Sequence, residues 1–278
     1  MSWEQLEKMF DRAMQHSFSK KKLFITALLL VVCGLFFILC QALAVGASGW
    51  MFLSLTFLPI FLSSSILLAG GSILTRMYHH DLKGIPCSLT KTLTKSWQML
   101  LNMSYLALPL LLIYLVLWMV MGLFYLLKEL PAVGEAVGVI LSFGPFLLVL
   151  GSLVLSFFTL MVLFFVTPDA ALKTGVRLRL VEGVYARWKQ GMLANLVLLV
   201  VGMMPLAISL GILYLAAAMT GNNFMEHSGA VSSVLQHFFI MIPFCALLTP
   251  SVVFFFNFST ESFLFNQKKI SLQNSSST

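Results

Sequence analysis

Long apolar stretches alternate with short polar ones along almost the whole chain. Charged residues separate six apolar stretches, and each is long enough to cross a hydrocarbon core of about 30 Å as a helix. A transmembrane β-barrel would instead show alternating segments of about ten residues, which this sequence lacks. The pattern therefore predicts an all-α polytopic membrane protein with six transmembrane helices in three hairpins. The predicted spans are about 23–46, 51–75, 99–127, 136–166, 191–219 and 238–260, within a transmembrane domain at 23–265.

Composition agrees with this pattern. Apolar residues make up 59% of the chain and charged residues 10%, whereas soluble domains have roughly 45–50% and 25%. An ordinary water-soluble globule is therefore excluded. The polar end of the chain, 266–278, is predicted to be a disordered cytoplasmic tail.

Lys and Arg are unequally divided between the two sides that six spans would create. Five precede the first span, four lie between the second and third, five between the fourth and fifth, and two follow the sixth. This places 16 of the 17 on one side and only Lys128 on the other. The positive-inside rule then predicts that both termini are cytoplasmic. The net charge of +7 thus indicates topology and attraction to anionic lipid rather than nucleic-acid binding.

Three polar segments precede the odd-numbered spans, and each has an apolar helical face. They are the N-terminal helix 1–22 and the segments 87–98 and 176–190, where apolar residues recur every four positions and end in an aromatic residue. This spacing predicts interfacial amphipathic helices and allows an internal repeat of two or three copies. The predicted interfacial aromatic anchors are Phe18, Trp97 and Trp188.

Basic residues accompany each of these three segments. Because a Lys or Arg near an anionic leaflet contributes about 1 kcal/mol, we expect them to contact anionic phospholipid headgroups. The predicted contacts are Lys20, Lys21, Lys22, Lys91, Lys95, Arg177, Arg179, Arg187 and Lys189.

Candidate chemistry inside the membrane is sparse. No ionisable residue falls deep within a predicted span, which counts against a proton- or ion-coupled carrier. Small residues at 63–65 and 70–72 favour close helix packing in the second span, with a pore lining as the alternative. "GASG" at 46–49 offers Ser48, which His237 could activate in an intramembrane serine enzyme. "HHD" at 79–81 lacks a third ligand group at metal-binding spacing, so neither a metal nor a cofactor is predicted.

The layout around "LTKTLTKSWQMLL" and "TPDAALKTGVRLRLVEGVYARWKQGML" resembles a broad set of uncharacterised bacterial six-span membrane families. One of them is the membrane domain fused to some glycerophosphodiester phosphodiesterases. The likeness covers roughly residues 50–260 and does not extend to the phosphodiesterase catalytic domain, so that activity is not carried over. The resemblance implies a bacterial inner-membrane location and a lipid-related role.

These observations predict an integral bacterial inner-membrane protein without catalytic activity of its own. Its role would be to organise lipid or to serve as a subunit of an envelope complex, with anionic phospholipids and other membrane proteins as partners. The alternative is a transporter or lipid translocator whose path runs between repeats. An intramembrane enzyme is the third possibility.

Overall fold

The computed structural model describes the backbone of residues 3–44, 47, 49–84, 89–128, 138, 143–172, 177–224 and 230–276. Within these ranges, the side chains of residues 50, 89–106, 128, 177–192, 221–224, 230–233 and 269–276 lie outside the described set.

The described residues form helices and no strands, which confirms the predicted all-α fold. A short 3-10 turn at His16–Phe18 separates the first helix from the second. The seven α-helices are α1 Trp3–Gln15, α2 Lys20–Ala44, α3 Trp50–Leu82, α4 Leu89–Lys128, α5 Gly144–Leu172, α6 Arg177–Phe224 and α7 Ala230–Ser276.

Six helical stretches are long and apolar enough to cross a membrane, and each overlaps a predicted span. The chain is therefore an integral, multi-pass membrane protein. Most of 136–142 lies outside the described residues. The spans are Lys20–Ala44, Met51–Leu82, Ala107–Leu127, Gly144–Leu172, Leu193–Thr220 and Val234–Lys268.

The six spans are arranged with three inside and three outside. Helices α3, α5 and α7 contact one another. Around them, α2 lies between α3 and α7, α4 between α3 and α5, and α6 between α5 and α7. Each of the three predicted hairpins thus contributes one outer and one inner helix. Consistent with this arrangement, α3 and α7 are the most buried spans and α4 is the least buried.

Small residues allow the inner helices to approach closely. A Cβ atom added at Gly71 would come within 3.0 Å of three atoms of the Phe256 ring on α7. A Cβ at Gly70 would overlap the Leu29 side chain on α2. Ser64 and Ser72 are buried, and their hydroxyls donate to carbonyls of their own helix. At these four positions the small face of α3 therefore serves close packing, as predicted.

The N-terminal helix α1 packs against protein rather than presenting its apolar face to lipid. Its buried residues are Leu6, Met9 and Ala13, and the Phe10 ring centroid lies 4.9 Å from that of Phe254 on α7. An interfacial helix at 1–22 was predicted to turn this face toward lipid, whereas α7 covers it in the structure. The apolar stripe of an amphipathic helix can be covered by either lipid or protein, and here α7 covers it.

The other two amphipathic segments begin within longer helices. The described part of 87–98 starts at Leu89 and runs without interruption into α4, and that of 176–190 starts at Arg177 and runs into α6. By contrast, the chain between α1 and α2 passes through Ser19, whose backbone is extended with ψ of 121°.

The end of the chain also differs from the prediction. Helix α7 continues to Ser276, so residues 266–276 are helical, where a disordered tail was expected. Adding residues to a helix that already exists avoids the cost of nucleation. In addition, the Asn266 side-chain amide donates to the Asn195 side chain of α6 at 3.4 Å.

Candidate functional site

A polar cluster forms where α1, α2, α3 and α7 meet at the basic end of the bundle. Helix α1, the start of α2, the end of α3 and the part of α7 around Glu261 lie at this level. Two bases, two acids and one tyrosine from distant parts of the sequence therefore become neighbours. We call this set the ionic cluster, and its members are Arg12, Lys22, Tyr78, Asp81 and Glu261.

Lys22, like Tyr78, is fully buried in the ionic cluster. Its exposed fraction is 0%, and its Nζ lies 2.7 Å from Oδ2 of Asp81, whose side chain is 33% exposed. The ammonium also lies 4.8 Å from the centroid of the Tyr78 ring, and Nζ donates to the His16 carbonyl oxygen at 3.4 Å. A buried ammonium needs such partners, because an uncompensated charge inside a protein is strongly destabilising.

Glu261 of α7 is the second acid in the ionic cluster. The Tyr78 hydroxyl donates to its Oε1 at 2.7 Å, and Nη1 of Arg12 lies 3.9 Å from the same oxygen. Because Arg12 is 55% exposed and the separation is long, this ion pair contributes little by itself. The buried hydrogen bond from Tyr78 to a carboxylate is the stronger contact.

Further hydrogen bonds near the ionic cluster join α7 to α1 and join α3 and α7 to α5. The Asn257 amide donates to the Ala13 carbonyl oxygen at 3.3 Å and to Oγ of Ser17 at 3.2 Å, so α7 caps the end of α1. The Arg76 Nε donates to the Ala171 carbonyl oxygen at 3.1 Å, which joins α3 to α5. The Ser259 hydroxyl donates to the Phe164 carbonyl oxygen.

Each inner helix carries one acid at this end, and of these the sequence pattern singled out only Asp81, within the "HHD" motif. Asp81 is on α3, Asp169 on α5 and Glu261 on α7, and both Asp169 and Glu261 are buried. All three lie just past the predicted span ends, because the predicted spans are the apolar stretches between charged residues. Asp81 and Glu261 have partners within the bundle, so charged residues continue past the predicted span ends there.

The predicted headgroup contacts are placed in different surroundings. Lys20 and Lys21 are exposed, and Phe18 is exposed at 64%. Lys22 is turned inward against Asp81, so the prediction that it contacts headgroups is wrong. The remaining predicted residues have side chains outside the described set; these are Lys91, Lys95, Trp97, Arg177, Arg179, Arg187, Trp188 and Lys189.

The other candidate chemistry is also dispersed. Asp81 of the "HHD" motif pairs with Lys22, and the described residues contain no group of three or more His, Cys, Asp or Glu that could hold a metal ion. Ser48 lies outside the described residues. His237 lines a cavity at the opposite end of the bundle. The ionic cluster itself has its acids and bases paired, which suits holding helices together more than reacting with a substrate.

Comparison of this chain with protein-family models, with curated proteins and with solved structures finds no match. Its function is therefore argued from the geometry of the described residues alone. The resemblance to six-span bacterial families stays a prediction.

Proposed function

We propose that this integral membrane protein is non-catalytic and holds anionic phospholipid at the cytoplasmic face of a bacterial inner membrane. Its role there is to organise lipid or to serve as a subunit of an envelope complex. The observation that carries the proposal is the divergence of three consecutive lysines. Lys22 enters the bundle, whereas Lys20 and Lys21 stay exposed beside the exposed Phe18.

An exposed aromatic side chain beside two exposed lysines is suited to contact with lipid headgroups. An aromatic side chain near the end of a span favours the boundary between hydrocarbon and headgroups. Each exposed lysine at that level attracts anionic lipid by about 1 kcal/mol. Because Lys22 and Asp81 neutralise one another inside, the first turn of α2 presents two positive charges outward. The basic residues at 89–95 and 177–189, whose side chains lie outside the described set, are proposed to contact headgroups as well.

The transporter alternative has less support from the described residues. A path between repeats would run between inner helices, yet Phe256 fills the space at Gly71 and Ser64 bonds to its own helix. Ion-coupled carriers usually have an ionisable residue midway along a span, and the predicted spans of this sequence have none there. An intramembrane enzyme built on Ser48 and His237 remains the third candidate.

A measurement of phosphatidylglycerol binding tests the leading proposal. Native mass spectrometry of the full chain in detergent, titrated with phosphatidylglycerol, would compare wild type with the double variant Lys20→Gln, Lys21→Gln. Losing two contacts of about 1 kcal/mol each should weaken binding by roughly tenfold or more. Lys8→Gln on the exposed face of α1 is the matched control and should bind as wild type. Equal binding by the double variant would refute the proposed role of these lysines.

Cysteine labelling in intact cells tests the orientation. In a chain whose native cysteines are replaced by serine, Lys83→Cys at the basic end should resist a membrane-impermeant maleimide added from outside. Phe143→Cys at the opposite end should react, because that side chain is exposed. Labelling of Lys83→Cys from outside would reverse the topology and remove the cytoplasmic placement of the basic face.

A further inference from the structure

A small cavity lies at the end of the bundle opposite the ionic cluster. It has a volume of about 100 Å³ and lies between the end of α2, the start of α3 and the start of α7. Two polar side chains, Gln41 and His237, face it among apolar neighbours. Those neighbours include Ile38, Ala42, Phe52 and Val234.

The position of this cavity relative to the ends of the spans indicates which kind of molecule can enter it. Gln41 lies three residues before the end of the first span at Ala44, and His237 lies three residues after the start of the last span at Val234. Phe52 is the second residue of the span that begins at Met51. The cavity is therefore at the level where hydrocarbon meets headgroups, and an occupant must be apolar on one side and polar on the other.

The geometry points to a binding site for the phosphate–glycerol region of a phospholipid, recognised by His237 and Gln41. An imidazole and an amide both donate hydrogen bonds, which phosphate and ester oxygens accept. A volume of about 100 Å³ admits a small polar group but not a whole lipid, since one water molecule occupies about 30 Å³ of liquid. The acyl chains would then lie outside the cavity.

Exposed apolar side chains next to the cavity provide a surface for those chains. Leu43 on α2, Phe52 on α3 and Leu235 on α7 are all exposed. They flank Gln41 and His237 in sequence or line the cavity themselves. A lipid bound here would thus have its polar part between the helices and its chains along their outer surface.

This site is separate from the lysines at the basic end, and neither proposal depends on the other. The titration that tests it uses the full chain with phosphatidylglycerol, with a diacylglycerol carrying the same chains, and with glycerol 3-phosphate. The variants are His237→Ala and Ala42→Leu, the second of which fills the cavity and keeps both polar groups. Tyr214→Ala, an exposed residue on α6, is the control.

We expect His237→Ala to weaken phosphatidylglycerol binding roughly fivefold, the equivalent of one hydrogen bond, and Ala42→Leu to weaken it at least as much. Diacylglycerol should bind both variants and wild type equally weakly, and glycerol 3-phosphate should not compete. Unchanged binding by Ala42→Leu would overturn the proposal even if His237→Ala failed to fold. Competition by glycerol 3-phosphate would show a soluble phosphate ligand instead, and equal binding of diacylglycerol would show that phosphate is not recognised. Loss of binding in the Lys20, Lys21 double variant alone would leave this site refuted and the basic face supported.

Discussion

The buried pair of Lys22 and Asp81 predicts an asymmetric response to mutation. Asp81→Ala leaves an ammonium that is 0% exposed without its carboxylate, and removing one partner of a buried pair costs about 3–5 kcal/mol of the free energy of unfolding. The nearby Tyr78 ring and His16 carbonyl offset part of this loss, so we expect about 3 kcal/mol. Lys22→Met leaves Asp81, whose side chain is 33% exposed and can be hydrated, so its cost should be about 1 kcal/mol.

The double variant Lys22→Met, Asp81→Ala completes the cycle. Because it leaves no unpaired charge and places an apolar chain in the interior, it should be more stable than Asp81→Ala alone. Unfolding in mixed micelles with increasing dodecyl sulfate would measure all three, with Lys21→Met as an exposed control that changes stability by less than about 0.5 kcal/mol. Additive effects, or a greater loss for Lys22→Met than for Asp81→Ala, would contradict the buried placement of Lys22.

Three further predictions follow from the helix contacts. Gly71→Ala should lower thermal stability in detergent, because the new methyl group overlaps an aromatic ring of α7. In the control Gly211→Ala the methyl group meets nothing within 4 Å, so thermal stability should be unchanged or raised. Equal effects of the two variants would contradict the close approach of α3 and α7. Tyr78→Phe should cost about 1.5–3 kcal/mol in the same micelle titration, since it removes the hydroxyl that donates to Glu261, and an unchanged midpoint would argue against that bond. Met9→Ala should lower the free energy of unfolding by about 2–5 kcal/mol, because its side chain is buried on α7. It should also make α1 sensitive to limited proteolysis. Resistance equal to that of wild type would show that other contacts hold α1 in place.

The six spans were predictable because their length and apolar composition are local properties of the sequence. The ends of the spans at the basic side were not predictable. A charged residue ends a span only when the protein provides no partner for its charge. Asp81 and Glu261 have partners that come from residues about 60 and 250 positions earlier, and no local pattern contains that information. Pairing of this kind depends on which helices become neighbours.

The burial of Lys22 follows a pattern that is present in the sequence of α2. The buried positions of α2 include Lys22, Thr26, Cys33 and Cys40, which recur at spacings of four and seven residues. That is one face of a helix, and extending the stripe to its first turn selects Lys22 over its two neighbours. The docking of α1 had no comparable signal, because an amphipathic pattern does not distinguish a lipid surface from α7.

The contact between α2 and α7 has a consequence for biosynthesis. Helix α2 acquires a neighbour that the ribosome makes after α3, α4, α5 and α6, so this side of the bundle closes only once α7 has been synthesised. Until then Leu6, Met9 and Ala13 have no α7 to cover them, and Arg12 has no Glu261. A chain truncated before α7 would therefore display the uncovered apolar face of α1, a feature by which cellular quality control could distinguish it from a chain that contains α7.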